Sequence, residues 1–151
     1  MRIILLAICF VALAQGSFAQ ATRPVYNKAL ADSLGADERG MKMYVLAILK
    51  TGPKPDVSTA MRDSLMKGHF GFINSMSEKG LLVMAGPLEK NDKQYRGIYV
   101  FNVKTVEEAR VMASKDPSIQ AGYFEVELFG FYGSAALPLH VPIHNTIEKK
   151  Q

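Results

Sequence analysis

The stretch "LLVMAGPLEKNDKQYRGIYVFNV" (residues 81–103) decides the fold. Two runs rich in aliphatic and aromatic residues, 81–88 and 95–103, flank the polar turn "KNDKQ". That pattern reads as two strands joined by a turn. Upstream, a long helix is predicted from about Ser58 to Lys79, stopped by Gly80, a common residue just past a helix C-terminus. Before it, "MKMYVLAILK" (41–50) reads as a strand and "TGPKPD" (51–56) as a Pro/Gly turn. Downstream, "TVEEARVMAS" opens a second helix, with Thr105 and Glu108 spaced as a capping box. Pro117 ends it by biasing Asp116 away from helical geometry. "YFEVELFGFYG" (123–133) is then a fourth strand. The order β-α-β-β-α-β is the ferredoxin-like α+β arrangement.

The ends of the chain read differently. Residues 1–19 have Arg2, an apolar run from Ile3 to Ala14, and small residues around Ala19. This is the plan of a cleaved signal peptide. The run is short of the roughly 20 apolar residues that span a bilayer, so export to the periplasm or medium is expected, without stable membrane insertion. Residues 20–40 form a polar leader with one short helix around Tyr26–Leu34. The domain occupies 41–133, and residues 134–151, with Pro138 and Pro142, read as an extended tail.

Composition excludes several functions. Cys9, the single cysteine, lies in the signal segment. The exported chain therefore has no disulfide, thiol nucleophile or Cys-ligated zinc. Arg2 is the one charged residue of residues 1–19, so its loss takes the formal charge from +4 to +3. The remaining charges are scattered, which argues against a nucleic-acid or membrane-surface patch. RNA-recognition motifs share this strand order, but their signature places an aromatic directly after Arg-Gly. Here Ile98 follows Arg96-Gly97, and Tyr99 and Phe101 fall out of phase.

The strands are apolar on both sides. Met43, Val45, Ala47 and Leu49 point one way, and Tyr44, Leu46 and Ile48 the other. In the third strand Tyr95, Tyr99 and Phe101 oppose Ile98 and Val100. Two helices cover only one face of a four-stranded sheet. A second copy, face to face, is the economical cover and implies a homodimer, with Tyr99 and Phe101 expected on its interface. The alternative is that the C-terminal tail folds back over this face.

Candidates for chemistry are few. In "MKGHFGFINSM" (66–76), His69 shares a helical face with Leu65, Ile73 and Met76. It is either a satisfied core histidine or an imidazole lining a pocket. Glu125 and Glu127 lie on one side of the fourth strand, the pattern of a wet strand face. His140 and His144 have metal-like spacing, but Pro142 is expected to prevent the helix that would align them. No metal site is expected. There is no phosphate-binding loop and no Gly-x-Ser-x-Gly elbow, and no cofactor is expected.

His69, "GLLVMAGPL", "RGIYVFNVKTVEEA", "DPSIQAG" and "YGSAAL", in that order, resemble the YciI-like (YCII-related domain) family over roughly residues 41–137. The resemblance implies a dimeric α+β barrel of ferredoxin-like units. It also implies a His–Asp active site like that of muconolactone isomerases and a dehalogenating relative, here His69 and Asp116. Gly86 and Pro87 match the segment that shapes the neighbouring cleft. Met66 stands where many members carry an arginine, with Lys67 the nearest base, and Phe131 where many exported members carry a tryptophan.

A carboxylate that accepts a hydrogen bond from one imidazole nitrogen sets the tautomer, so the other nitrogen can exchange protons near neutral pH. Such a pair suits proton abstraction beside a carbonyl, isomerisation of an unsaturated lactone, or elimination. Asp116 before Pro117 also has the form of a helix cap. Two functions follow: a small-molecule enzyme of lyase, isomerase or dehalogenase type, or a non-catalytic dimeric module that holds a small ligand in the same cleft. In either, Lys67 and Arg96 are candidates to meet an anionic group. If the signal reading holds, protein from its native host should begin at Gln20 or Thr22. Intact mass checks this, and uncleaved Met1 in the cytosol would defeat it.

Overall fold

A computed structural model describes residues 25–149. The signal segment, the first residues of the leader (20–24) and residues 150–151 lie outside the described residues.

The leader forms one short helix, α1 (Lys28–Leu34), capped by the Asn27 side chain and burying none of its residues. The domain follows as β1 (Met41–Thr51), α2 (Thr59–Glu78), β2 (Leu82–Pro87), β3 (Tyr95–Phe101), α3 (Val106–Ala113), α4 (Pro117–Gln120) and β4 (Phe124–Ser134). The strands form one antiparallel sheet in the order β2-β3-β1-β4. This is the ferredoxin-like α+β arrangement. Local chemistry sets the boundaries. The hydroxyl of Ser58 accepts the Met61 N–H at the start of α2, and Thr105 with Glu108 forms a complete capping box on α3. Asp116 caps α4, with Pro117 in its first turn.

The core lies between one face of the sheet and the helices. Val45, Ala47 and Leu49 of β1 meet Tyr99 and Phe101 of β3, covered by Phe72 and Met76 of α2 and by Ala109 and Ala113 of α3. The expectation that Tyr99 and Phe101 face a partner is therefore corrected. Cross-strand partners share a face, and the register pairs Ala47 with Tyr99 and Val45 with Phe101. All four lie under the helices.

The opposite face carries Tyr44, Leu46, Val83 and Val100. The tail contributes to its cover, because Leu137 packs against this cluster and the Tyr44 hydroxyl donates to the Ser134 carbonyl at 2.9 Å. Met84, Phe129 and Phe131 stay 38%, 47% and 36% exposed. The extended tail expected over 134–151 is also corrected. A 3₁₀ turn at Leu137–Leu139 leads into α5 (His140–Ile147). Pro142 falls in the first turn of α5, where a backbone N–H has no intrahelical acceptor to lose. Glu125 and Glu127 do form a wet face, pairing with Lys50 at 3.3 and 2.9 Å. Among the described residues no helix is long and apolar enough to cross a membrane.

Candidate active site

His69 lies at the middle of α2 and Asp116 at the start of α4, and packing brings them together. A Cβ added at Gly68 would lie 3.0 Å from Pro117 Cγ and 3.2 Å from its Cβ. The bare backbone at Gly68 is what lets α2 sit this close to α4. One residue on, the His69 ring meets Asp116, which is fully buried.

The Asp116 carboxylate is the hub. Its Oδ2 accepts from His69 Nδ1 at 2.8 Å and from the Tyr99 hydroxyl at 2.8 Å. Its Oδ1 accepts from the Ser118 backbone N–H at 2.9 Å and the Ser118 hydroxyl at 2.7 Å. Both sequence readings of Asp116 thus hold in one side chain: Oδ1 caps α4 and Oδ2 holds the histidine. Burial pushes this carboxyl up, but the hydrogen bonds from His69 and Ser118 outweigh it and hold the group below its ordinary range. Burial first, and then the Asp116 charge, push the Tyr99 phenol far above its ordinary range, so it stays a neutral donor.

The network sets the imidazole tautomer. The Tyr99 and Ser118 hydroxyls also lie 3.0 and 3.2 Å from His69 Nδ1, but each has one proton and is closer to Asp116, at 2.8 and 2.7 Å, whose ionised oxygens can only accept. A bare Nδ1 would press its lone pair against a carboxylate oxygen, so Nδ1 carries the proton and Nε2 is the basic atom. The ring lines a mostly apolar cavity of about 300 Å³, under α2 at the β2–β3 side of the sheet. Phe70, Ile73 and Phe124 form walls around it.

Of the residues singled out from sequence, Gly86, Pro87 and Arg96 also line this cavity, as does Met66. Lys67 does not: it is exposed, and two residues along a helix from His69 it points the opposite way. Tyr99 and Ser118 are the members that sequence reasoning missed. Ser118 had a signal, since Asp-Pro-Ser is an Asx-type cap in which the third residue bonds back to the first. Tyr99 had none, since alternation along β3 does not say which of its two faces lies inward. His140 and His144 line a separate polar cavity of about 180 Å³ with Glu148. Among the described residues no three His, Cys, Asp or Glu side chains converge as a metal site.

The family model for the YCII-related domain matches residues 43–131, more than half of the chain. The protein belongs to the YCII-related domain family. Among solved structures, this YCII-related protein is similar to the 5-chloro-2-hydroxyhydroquinone dehydrochlorinase (TftG) of Burkholderia phenoliruptrix, in complex with 2,5-dihydroxybenzoquinone. The two are 19% identical with a TM-score of 0.42, over 57% of this chain and 90% of that one. No curated protein matches.

The network makes stability depend on pH in both directions. Asp116, with its pKa lowered on folding, stabilises the fold above its ordinary value of 3.8, and this is lost as pH falls below that value. Tyr99, raised on folding, stabilises below its ordinary value of 10.0, and this is lost as pH rises above it. Asp116→Asn should cost about 1–3 kcal/mol at pH 7, a deficit that shrinks below pH 3.8. The deficit of Tyr99→Phe should shrink above pH 10.0. Urea titrations across pH would show this; deficits independent of pH would refute it.

Proposed function

We propose that this protein is a small-molecule enzyme of lyase or isomerase type in which His69 Nε2 is the general base and acid. One observation carries the reading: a buried histidine, its Nδ1 2.8 Å from the Asp116 carboxylate, presents its ring to an apolar cavity. Asp116 would balance the imidazolium as it forms. In an isomerisation, Nε2 takes the proton from the carbon beside a carbonyl, the double bond shifts, and the imidazolium returns the proton at the far carbon. In an elimination such as dehalogenation, the same C–H electrons form the new double bond and the leaving group departs with its own pair. The serine hydroxyl near the ring, Ser118 at 3.2 Å from Nδ1, is fully buried and donates to Asp116, so hydrolysis through a covalent intermediate is not proposed.

An unsaturated γ-lactone in D₂O is a direct probe. The wild type should accelerate deuterium entry beside the carbonyl. His69→Ala should reduce that rate by about 10²–10⁴-fold, and Asp116→Asn by less, because it keeps the shape and loses the charge. Lactone binding without exchange in the wild type would favour a non-catalytic binding module in the same cavity.

We further propose that the protein works after export, as a homodimer joined through the open sheet face. The half-exposed Phe129 and Phe131, neighbours on the β4 edge of that face, support this, since an exposed apolar patch calls for a cover. Phe129→Asp should dissociate the dimer, read by light scattering at micromolar concentration. A monomeric wild type would sink the assembly.

A further inference from the structure

Arg96 has no use in the proton transfer, yet it lies on the wall of the cavity that His69 lines. Its Nε donates to the Thr51 hydroxyl at 2.7 Å. This anchors the guanidinium from the side and leaves its terminal nitrogens to other acceptors. The anchor is neutral, and among the described residues no carboxylate lies within ion-pair distance of Arg96. The β4 glutamates, Glu125 and Glu127, both go to Lys50. Asp116 is saturated by His69, Tyr99 and Ser118. Arg96 is exposed at the rim, and among the residues lining this cavity it is the charged side chain without an ion-pair partner.

We propose that the cavity takes a compact, largely apolar monocarboxylate, the size of one ring, with its carboxylate on the Arg96 fork and its body against Phe70, Ile73 and Phe124. The inference rests on reading the cavity as the reactive site and adds the class of substrate. A planar guanidinium presents paired N–H groups that match the two oxygens of a carboxylate. A volume of about 300 Å³ is at the small end of the range for ligand pockets, which spans about 300–1,000 Å³, and matches a single ring better than a whole peptide, nucleotide or lipid. A phosphate monoester would bring a second charge, for which the cavity has no second cation. The carboxylate also orients the ring, so that a C–H rather than the anionic end meets His69.

Benzoate, benzyl alcohol and phenyl phosphate, titrated into the full protein and followed by NMR, test the class. Benzoate should bind tightest. Arg96→Gln should weaken benzoate by about 10–100-fold, the scale of a lost charge-assisted hydrogen bond, and leave benzyl alcohol unchanged. His69→Ala should still bind benzoate within a few-fold. Benzoate held equally by wild type and Arg96→Gln would overturn the proposal, as would phenyl phosphate or benzyl alcohol binding more tightly than benzoate. Arg96-dependent benzoate binding without deuterium exchange on an unsaturated γ-lactone that carries a carboxylate would support this inference while ending the catalytic one.

Discussion

A carboxylate cut off from water must find its donors inside the protein, and Asp116 imposes that demand on three separate pieces of the chain. His69 comes from the middle of α2, Tyr99 from the interior face of β3, and Ser118 from the first turn of α4, which Asp116 itself caps. Each provides a donor, and the side-chain polar atoms buried around them all have partners. Removing one donor would leave part of a buried charge unsatisfied, at a cost of about 1–3 kcal/mol. The packing of Gly68 on Pro117 has to be close for the network to close. The chemistry of the site and the docking of α2 on α4 are therefore one constraint.

The cavity exists because the sheet is lined with small residues where α2 crosses it. Ala85 and Gly97 lie among its lining. A Cβ at Gly97 would come within 2.9 Å of the Gly86 carbonyl oxygen, so the two strands approach there too closely for a side chain. Space is left above them, walled by Phe70, Ile73 and Phe124. A ligand that fills this apolar space displaces its water, and charges at its edge then act more strongly on it. An imidazole with its tautomer set by Asp116 and an arginine without an ion-pair partner are the groups through which this pocket can act on a ligand.

Much of the fold was legible along the chain. The hairpin at 81–103, the Thr105–Glu108 capping box and the Asp116–Pro117 break are local signals, and each reappears at its expected place. His69 stood out because a titratable ring breaks an otherwise apolar helical stripe, and the family resemblance supplied Asp116 as its partner. The C-terminal segment misled, because a proline reads as a breaker unless its place within the helix is known. Pro142 sits in the first turn, where it costs no hydrogen bond.

Periodicity and capping are properties of neighbours in sequence, and by itself the sequence determined the elements, their order and the two-faced character of the strands. Which face the helices would take was beyond it. Alternation sorts the residues of β3 into two sets without saying which set is inside, and the pairing of Ala47 with Tyr99 settles that only in three dimensions. That choice moved Tyr99 from an expected interface to the side of Asp116. Lys67 and Arg96 looked alike as free cations, and the winding of α2 turned Lys67 to solvent while the end of β3 brought Arg96 to the cavity. Contacts between residues as far apart as His69 and Asp116 depend on how whole elements pack, and that is decided by the tertiary structure.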